Sequence, residues 1–216
     1  MNFAQIYEIA SPFTMTSLKK MESLNSAVIY INKNNIDGAL VECGVFKGGS
    51  VMNMALTQLD FPKLRHIYLY DTFEGMTKEG EFDINHRGVT AATILRRPSK
   101  MCIASLDSVK NNLALTRYPK EFFHFIKGDV AETLKQNDLP KKIALLRLDT
   151  DWYESTKIEM EVLYPNLVKG GVLILDDYGY WKGARKAVDE YFASLGMSPL
   201  LKPMDEGISG VIYTKE

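Results

Sequence analysis

Three aspartates stand at the ends of two apolar runs. "KIALLRLD" ends on Asp149, and "GGVLILDD" ends on Asp176 and Asp177. Neighbouring strands of a parallel sheet lie roughly 4.8 Å apart, so acids at adjacent strand ends can share one ion. Three carboxylates brought together without a cation repel one another and hold protons more tightly. A divalent cation removes that cost. The donors are all oxygen, with no His or Cys nearby in sequence, which points to Mg2+, Mn2+ or Ca2+ rather than zinc. Such an ion lowers the pKa of a substrate hydroxyl and orients its oxygen. A carboxylate beside it, assigned to Asp149, takes the proton. The plainer alternative makes Asp149 and Asp151 caps of the following helix and Asp176–Asp177 a turn. For Asp151 the capping role is preferred.

A second set of residues lies upstream. The strand "GALVEC" runs into "GVFKGGS", where Gly44, Gly48 and Gly49 let the backbone turn sharply and approach a ligand. Ser50 then begins a helix, whose free amides suit a carboxylate. The next strand, "HIYLYD", ends on Asp71, followed by Thr72. An acid at that point can accept hydrogen bonds from both ribose hydroxyls. The loop is not the dinucleotide fingerprint, because Phe46 replaces its second glycine, and it is not a P-loop, which ends in Gly-Lys-Ser/Thr. An E-x-G-x-x-x-G loop beginning at Glu42, followed by an acidic strand end, looks like the S-adenosylmethionine site of class I methyltransferases. A tight turn with a satisfied acid is the alternative. In "KGDVAETL", Asp129 either accepts from an adenine amino group or caps the next helix; the two readings stand equal.

These residues need a scaffold that gathers strand ends. Apolar spacing of three and four predicts a helix over 16–35. Strands and helices then alternate: "SVMNMALTQL" is a helix, "FFHFIKGD" a third strand, and further helices are expected over 102–116, 131–136, 153–164 and 182–195. That alternation means right-handed βαβ units and a parallel sheet covered on both faces. "MSPLLKP" and "SGVIYTK" are expected to form an antiparallel hairpin at one edge. Residues 74–101 show no period and are read as a lid.

The whole chain sets bounds. Its 216 residues suit one domain, and 26 basic against 27 acidic residues predict neither nucleic acid nor membrane as partner. No apolar run approaches the ~20 residues that span a bilayer. "MNFAQIYEIA" has no basic n-region and no apolar h-region, so no signal peptide is expected. Of the two cysteines, Cys43 is expected buried and reduced, and the compartment is read as cytoplasmic.

With "VECGVFKGGS", "YDTFEGM", "LRLDTDWYEST" and "PNLVKGGVLILDDYGYWKGARKAVDEYF" in view, the chain resembles the macrocin O-methyltransferase family (TylF/MycF type) from about residue 38 to its end. The resemblance implies an α/β, Rossmann-like class I methyltransferase fold: a mostly parallel seven-stranded sheet with an antiparallel C-terminal edge hairpin and helices on both faces. It implies S-adenosylmethionine as donor, Mg2+ as cofactor and a hydroxyl of a sugar or glycosylated natural product as acceptor. The family's metal ligands fall on Asp149, Asp176 and Asp177, and its proposed base on Asp149. Its donor-binding residues fall on Glu42, Gly44, Gly48, Ser50 and Asp71, with Phe46, Thr72 and Asp129 beside them. Trp152, not lysine, stands three residues after Asp149, so no lysine base is expected. Residues 1–37 form an N-terminal helical segment, read as lid or homo-oligomer contact, and 38–216 the methyltransferase domain. Two rivals remain: a methyltransferase for a phenolic diol, and a non-catalytic S-adenosylmethionine-binding protein. His86 is read as a solvated loop histidine, Arg96 and Arg97 as an exposed pair, and His66 and His124 as structural. Tyr178, Tyr180 and Trp181 are read either as acceptor pocket or as core.

Overall fold

The computed structural model describes residues 1–95, 102–135, 139–206 and 209–216. Seven strands form one sheet: β1 (Ala39–Cys43), β2 (Ile67–Asp71), β3 (Phe123–Lys127), β4 (Ile143–Leu148), β5 (Leu167–Leu175), β6 (Lys202–Pro203) and β7 (Val211–Thr214). Their order is β3-β2-β1-β4-β5-β7-β6. The first five are parallel, and β7 runs antiparallel to both β5 and β6. The expected edge hairpin is therefore present, with a two-residue outer strand. An outer strand this short leaves little open edge for a further strand to pair with.

The apolar runs are continuous because both faces are covered. Leu40, Leu145, Val172 and Ile174 face α1 (Phe3–Ala10), α2 (Leu18–Lys33) and α3 (Gly49–Gln58). Val41, Cys43, Leu146, Leu148 and Leu173 face the other way, and α4 (Ala91–Leu95) and α5 (Leu106–Ala114) precede the helices on that side. These are α6 (Val130–Thr133), α7 (Tyr153–Val162) and α8 (Lys182–Ser194). Each such buried side chain contributes about 1.5–3 kcal/mol.

Some boundaries differ from the periodicity. The expected helix over 102–116 starts only at Leu106, because the Ser105 side chain caps it by accepting from the Ser108 amide. Cys102 lies outside it with φ +54°. Helix α1 falls within the expected N-terminal helical segment, though only 16–35 was placed by periodicity; an Asn2–Gln5 capping box starts it. Residues 1–37 are not an appendage: Ala10, Met21, Leu24, Val28 and Ile31 belong to the same core as β1 and β4. The aperiodic stretch after β2 is held by isolated bridges, Ile84 to Thr90 and Asn85 to Trp181. Arg96 and Arg97 lie outside the described residues.

Candidate active site

The strand order reverses between β1 and β4, and ligands of open α/β sheets bind at such a switch point, beyond the strand ends. A cleft of about 700 Å3 lies there, with Gly44, Phe46, Asp71, Thr72, Asp129 and Asp149 in its wall. Gly44 has φ +84°, and a methyl group on it would stand 2.0 Å from the Asp149 carbonyl oxygen. Only glycine lets the β1 turn press against the end of β4 in this way.

Asp71 answers to the backbone. Its Oδ2 accepts from the amides of Val45 and Phe46 at 2.6 and 3.0 Å, and its Oδ1 from the Phe73 amide at 2.7 Å. Phe46 and Phe73 both sit at positive φ, +50° and +53°, and these bonds to Asp71 hold them in that sparsely populated region. The strand-end carboxylate is thus satisfied by the protein and still faces the cleft. Asp129 caps α6 by accepting from the Ala131 amide at 2.9 Å, and it also lines the cleft.

Three residues expected at the donor lie off the cleft. Glu42 points to the opposite face of β1, where its Oε1 pairs with Arg147 of β4, its register partner. Gly48, at φ +92°, precedes α3 and faces Val109 and Leu113. Ser50 is buried with its hydroxyl 3.9 Å from the Met21 sulfur. The first turn of α3 is roofed by the N-terminal segment: a methyl on Gly49 would meet the Ala10 oxygen at 2.7 Å.

On the other side the acids crowd. Carboxylate oxygens of Asp149, Asp176 and Asp177 lie within 4.8 Å of one another. Arg147 reaches Asp149 Oδ2 at 2.8 Å and Asp176 Oδ1 at 2.7 Å. Lys20 of α2 donates to Asp176 Oδ2 at 2.6 Å and to its carbonyl at 3.1 Å. Burial pushes Asp149 up to about 6, against the pull of Arg147. Burial, and then the Asp149 charge, push Asp151 up to about 7. Burial and the neighbouring aspartates push Asp177 well above the carboxylate range. Asp176 goes the other way: against burial, Arg147 and Lys20 hold it below that range.

This donor set is of the kind a hard divalent cation takes, with both Asp176 oxygens and Asp149 Oδ2 engaged by Arg147 and Lys20. Its ligands are oxygens, two of the three carboxylates are held at raised proton affinity, and their spacing suits metal–oxygen distances of about 2.0–2.6 Å.

Asp151 is not the cap expected. Trp152 stands at the N-cap position of α7 without a side-chain bond, and the Tyr153 amide is taken by Asp83 at 2.8 Å. Asp151, at φ +67°, lines the cleft, and its Oδ1 accepts from the Trp181 indole at 2.7 Å. Trp181 is buried, and its ring centroid is 5.2 Å from that of Trp152. Tyr178 bonds Asp189 at the surface. His86 is half-buried: its ring lies 5.3 Å from Tyr180 and accepts from Arg87 at the surface. His66 and His124 bond each other at 2.8 Å. Cys43 is buried and Cys102 half-buried, both free thiols.

Sequence reasoning missed Arg147, Lys20 and Asp83. Arg147 left a signal, a charge inside the apolar run "IALLRL". Lys20 and Asp83 left none, since their partners are 156 and 70 residues away.

A family model described as Macrocin-O-methyltransferase (TylF) matches residues 9–215. The chain is 30% identical to demethyldecarbamoylnovobiocin O-methyltransferase of Streptomyces niveus, over 91% of this chain and 74% of that protein. It is 31% identical to the 8-demethyl-8-(2,3-dimethoxy-alpha-L-rhamnosyl)-tetracenomycin-C 4'-O-methyltransferase of Streptomyces olivaceus, over 89% and 72% of the two chains. Among solved structures, the O-methyltransferase NovP superposes with a TM-score of 0.81 at 29% identity, covering 94% of this chain and 82% of its own. A calicheamicin methyltransferase shares the fold, with a TM-score of 0.74 at 20% identity over 94% and 80%.

Proposed function

The chain belongs to the macrocin O-methyltransferase family and is an S-adenosylmethionine-dependent O-methyltransferase; from that premise we propose that it methylates a hydroxyl of a sugar or glycosylated small molecule in a Mg2+-dependent reaction. Support for the acceptor class comes from the relative named for a rhamnosyl tetracenomycin. Support for the ion is one observation: the oxygens of Asp149, Asp176 and Asp177 gather within 4.8 Å beside the cleft that also holds Asp71.

In this reading Gly44, Phe46, Asp71, Thr72 and Asp129 hold the donor. Asp71, fixed by three backbone amides, receives the ribose hydroxyls without reorganising. Asp129 keeps its capping bond and offers its remaining lone pairs to the adenine side. Glu42, Gly48 and Ser50 shape the loop from below. When bound, the donor supplies an electrophilic methyl, and Mg2+ held by Asp149, Asp176 and Asp177 lowers the pKa of the acceptor hydroxyl. The chain's own task is alignment of the acceptor oxygen with that methyl, and removal of one proton.

Asp149 takes that proton on the reading above. A second reading gives it to Asp151, and one observation favours it: Asp149 Oδ2 is engaged by Arg147, whereas Asp151 lines the cleft with its pKa pushed up to about 7, near the optimum for a base at neutral pH. The lid over 74–101 would cover the acceptor.

The test is methyl transfer from S-adenosylmethionine to a panel of rhamnosides and catechols, with EDTA and with Mg2+ added back. Turnover of a glycoside that stops with EDTA and returns with Mg2+ is expected. Turnover unchanged by EDTA overturns the ion, and turnover of catechols alone overturns the acceptor class.

A further inference from the structure

The least periodic stretch of the sequence contains one of its most buried carboxylates. Asp83 is 1% exposed yet lies outside every helix and strand. Its Oδ1 accepts from the Tyr153 amide at 2.8 Å and its Oδ2 from the Gly80 amide at 2.7 Å. Tyr153 is the first residue of α7, where free amides and the helix dipole favour an anion. The start of α8 faces the same group: a methyl on Gly183 would stand 2.3 Å from Asp83 Oδ1. Asp83 therefore fills a notch between the first turns of the two helices that directly follow the acid-bearing turns.

The loop around it is tied to the same two turns. The Trp152 indole donates to the Thr77 carbonyl at 3.1 Å, and the Lys182 amide to the Ile84 carbonyl at 2.8 Å. Trp152 immediately follows Asp151, and the Trp181 indole holds Asp151 itself. We propose that Asp83 is a positioning residue, a peg that locks residues 77–91 onto the starts of α7 and α8 and so fixes the turn carrying Asp149 and Asp151. This rests on the reading that those acids hold an ion. The ribose and adenine side of the cleft, at Asp71 and Asp129, is built on the ends of β2 and β3, and Thr77 is the residue of this loop that reaches the cleft wall.

Two changes withdraw the peg from opposite sides. Asp83→Ala removes the carboxylate, and Gly183→Ala pushes it out while deleting no polar group. The readouts are Mn2+ affinity, S-adenosylhomocysteine affinity, indole emission and limited trypsin digestion. The chain has two tryptophans, both at this junction. Lys78 and Arg87 are exposed loop residues at which trypsin can cut.

Both variants are expected to weaken Mn2+ binding by about tenfold or more, as loss of supporting hydrogen bonds around a metal site does. Indole emission should shift to the red, and trypsin should cut at Lys78 and Arg87. S-adenosylhomocysteine affinity should fall by much less than Mn2+ affinity, since Thr77 is the residue of the loop that lines the cleft. Asp83→Asn, which keeps an acceptor for the Tyr153 amide, should recover part of the Mn2+ affinity.

Unchanged Mn2+ affinity in a variant whose loop is cleaved overturns the proposal, since the peg then holds the loop and positions nothing. Equal losses of both ligands also overturn it. Should wild type itself fail to bind Mn2+, the ion reading fails separately, and unchanged indole emission in both variants then overturns the peg. If Asp83→Ala does not fold, Gly183→Ala and Asp83→Asn carry the same comparison.

Discussion

Asp71 and Asp149 stand at the ends of β2 and β4, two strands apart in one sheet, and their surroundings differ. Asp71 receives three backbone amides and needs no counter-ion. Asp149 receives one guanidinium that it shares with Glu42 and Asp176, and the charges of Asp151 and Asp177 lie close to it. One half of the site is completed by its own backbone. The other half carries five carboxylates, Glu42, Asp149, Asp151, Asp176 and Asp177, against Arg147 and Lys20. Backbone amides leave Asp71 fixed and satisfied, whereas crowded acids repel one another, which is the ground for the proposed cation.

The sharpest way to break that comparison is to remove an acid from each half. Asp149→Asn is expected to lower methyl transfer by about 10^2–10^4-fold, the range for loss of a positioned proton acceptor, while S-adenosylmethionine binding measured by calorimetry stays at the wild-type level. Asp71→Ala is expected to do the reverse, weakening donor binding by about 1–3 kcal/mol, as when hydrogen bonds to a charged group are lost. Equal losses of donor binding from both changes would join the two halves into one site and end the distinction.

The proton acceptor separates by pH. Burial raises Asp149 and Asp151 in the ion-free protein, and a bound cation offsets part of that rise, so turnover of the Mg2+-loaded protein should climb along an acid limb below about pH 7 as its proton acceptor ionises. If Asp151 takes the proton, Asp151→Asn flattens that limb while Mn2+ affinity persists. A full limb in Asp151→Asn returns the role to Asp149.

Stability without the ion carries the opposite sign. Asp149, Asp151 and Glu42 have folded pKa values above their unfolded ones, so the folded state binds protons more tightly. Their contribution is fully present below about pH 4 and is lost as pH rises through 6–8. Asp37, held at about 2 mainly by its hydrogen bond to Lys63 and then that to Lys142, opposes this only in stronger acid. Metal-free protein should therefore melt lower at pH 8 than at pH 5.5, and Mg2+ should restore the difference at pH 8. A melting temperature that is flat with pH, or unmoved by Mg2+, contradicts the surplus of acid.

Much of this scaffold was legible. The five parallel strands announce themselves as mostly apolar runs ending in Gly or Asp, and the edge hairpin as two short runs joined by a polar turn. The acid trio was legible because each member terminates such a run. What spacing could not show is the partner across the sheet. Glu42 sits in a loop motif that reads as donor-binding, yet one residue's alternation turns it to the α2 face, where Arg147 stands opposite. Lys20 looks like any polar residue of an amphipathic helix, and Asp83 like any loop acid; only tertiary contacts mark them. Helix α1 is too short for a period to declare it, and a capping box at its start was the available signal.

Glu42 therefore offers the mildest test of the two halves. It is buried to 1% exposure, and burial outweighs its pairing with Arg147 to push it up to about 8. It therefore holds its proton more tightly than an ordinary glutamate. Glu42→Gln has nearly the same shape, keeps an acceptor for Arg147 and removes the cost of ionising in the interior. The variant should match wild type in melting temperature at pH 5 and exceed it by pH 8, with donor affinity unchanged because the side chain faces away from the cleft. Loss of donor binding in Glu42→Gln would place this glutamate in the donor site after all, and the backbone would no longer be what completes that half.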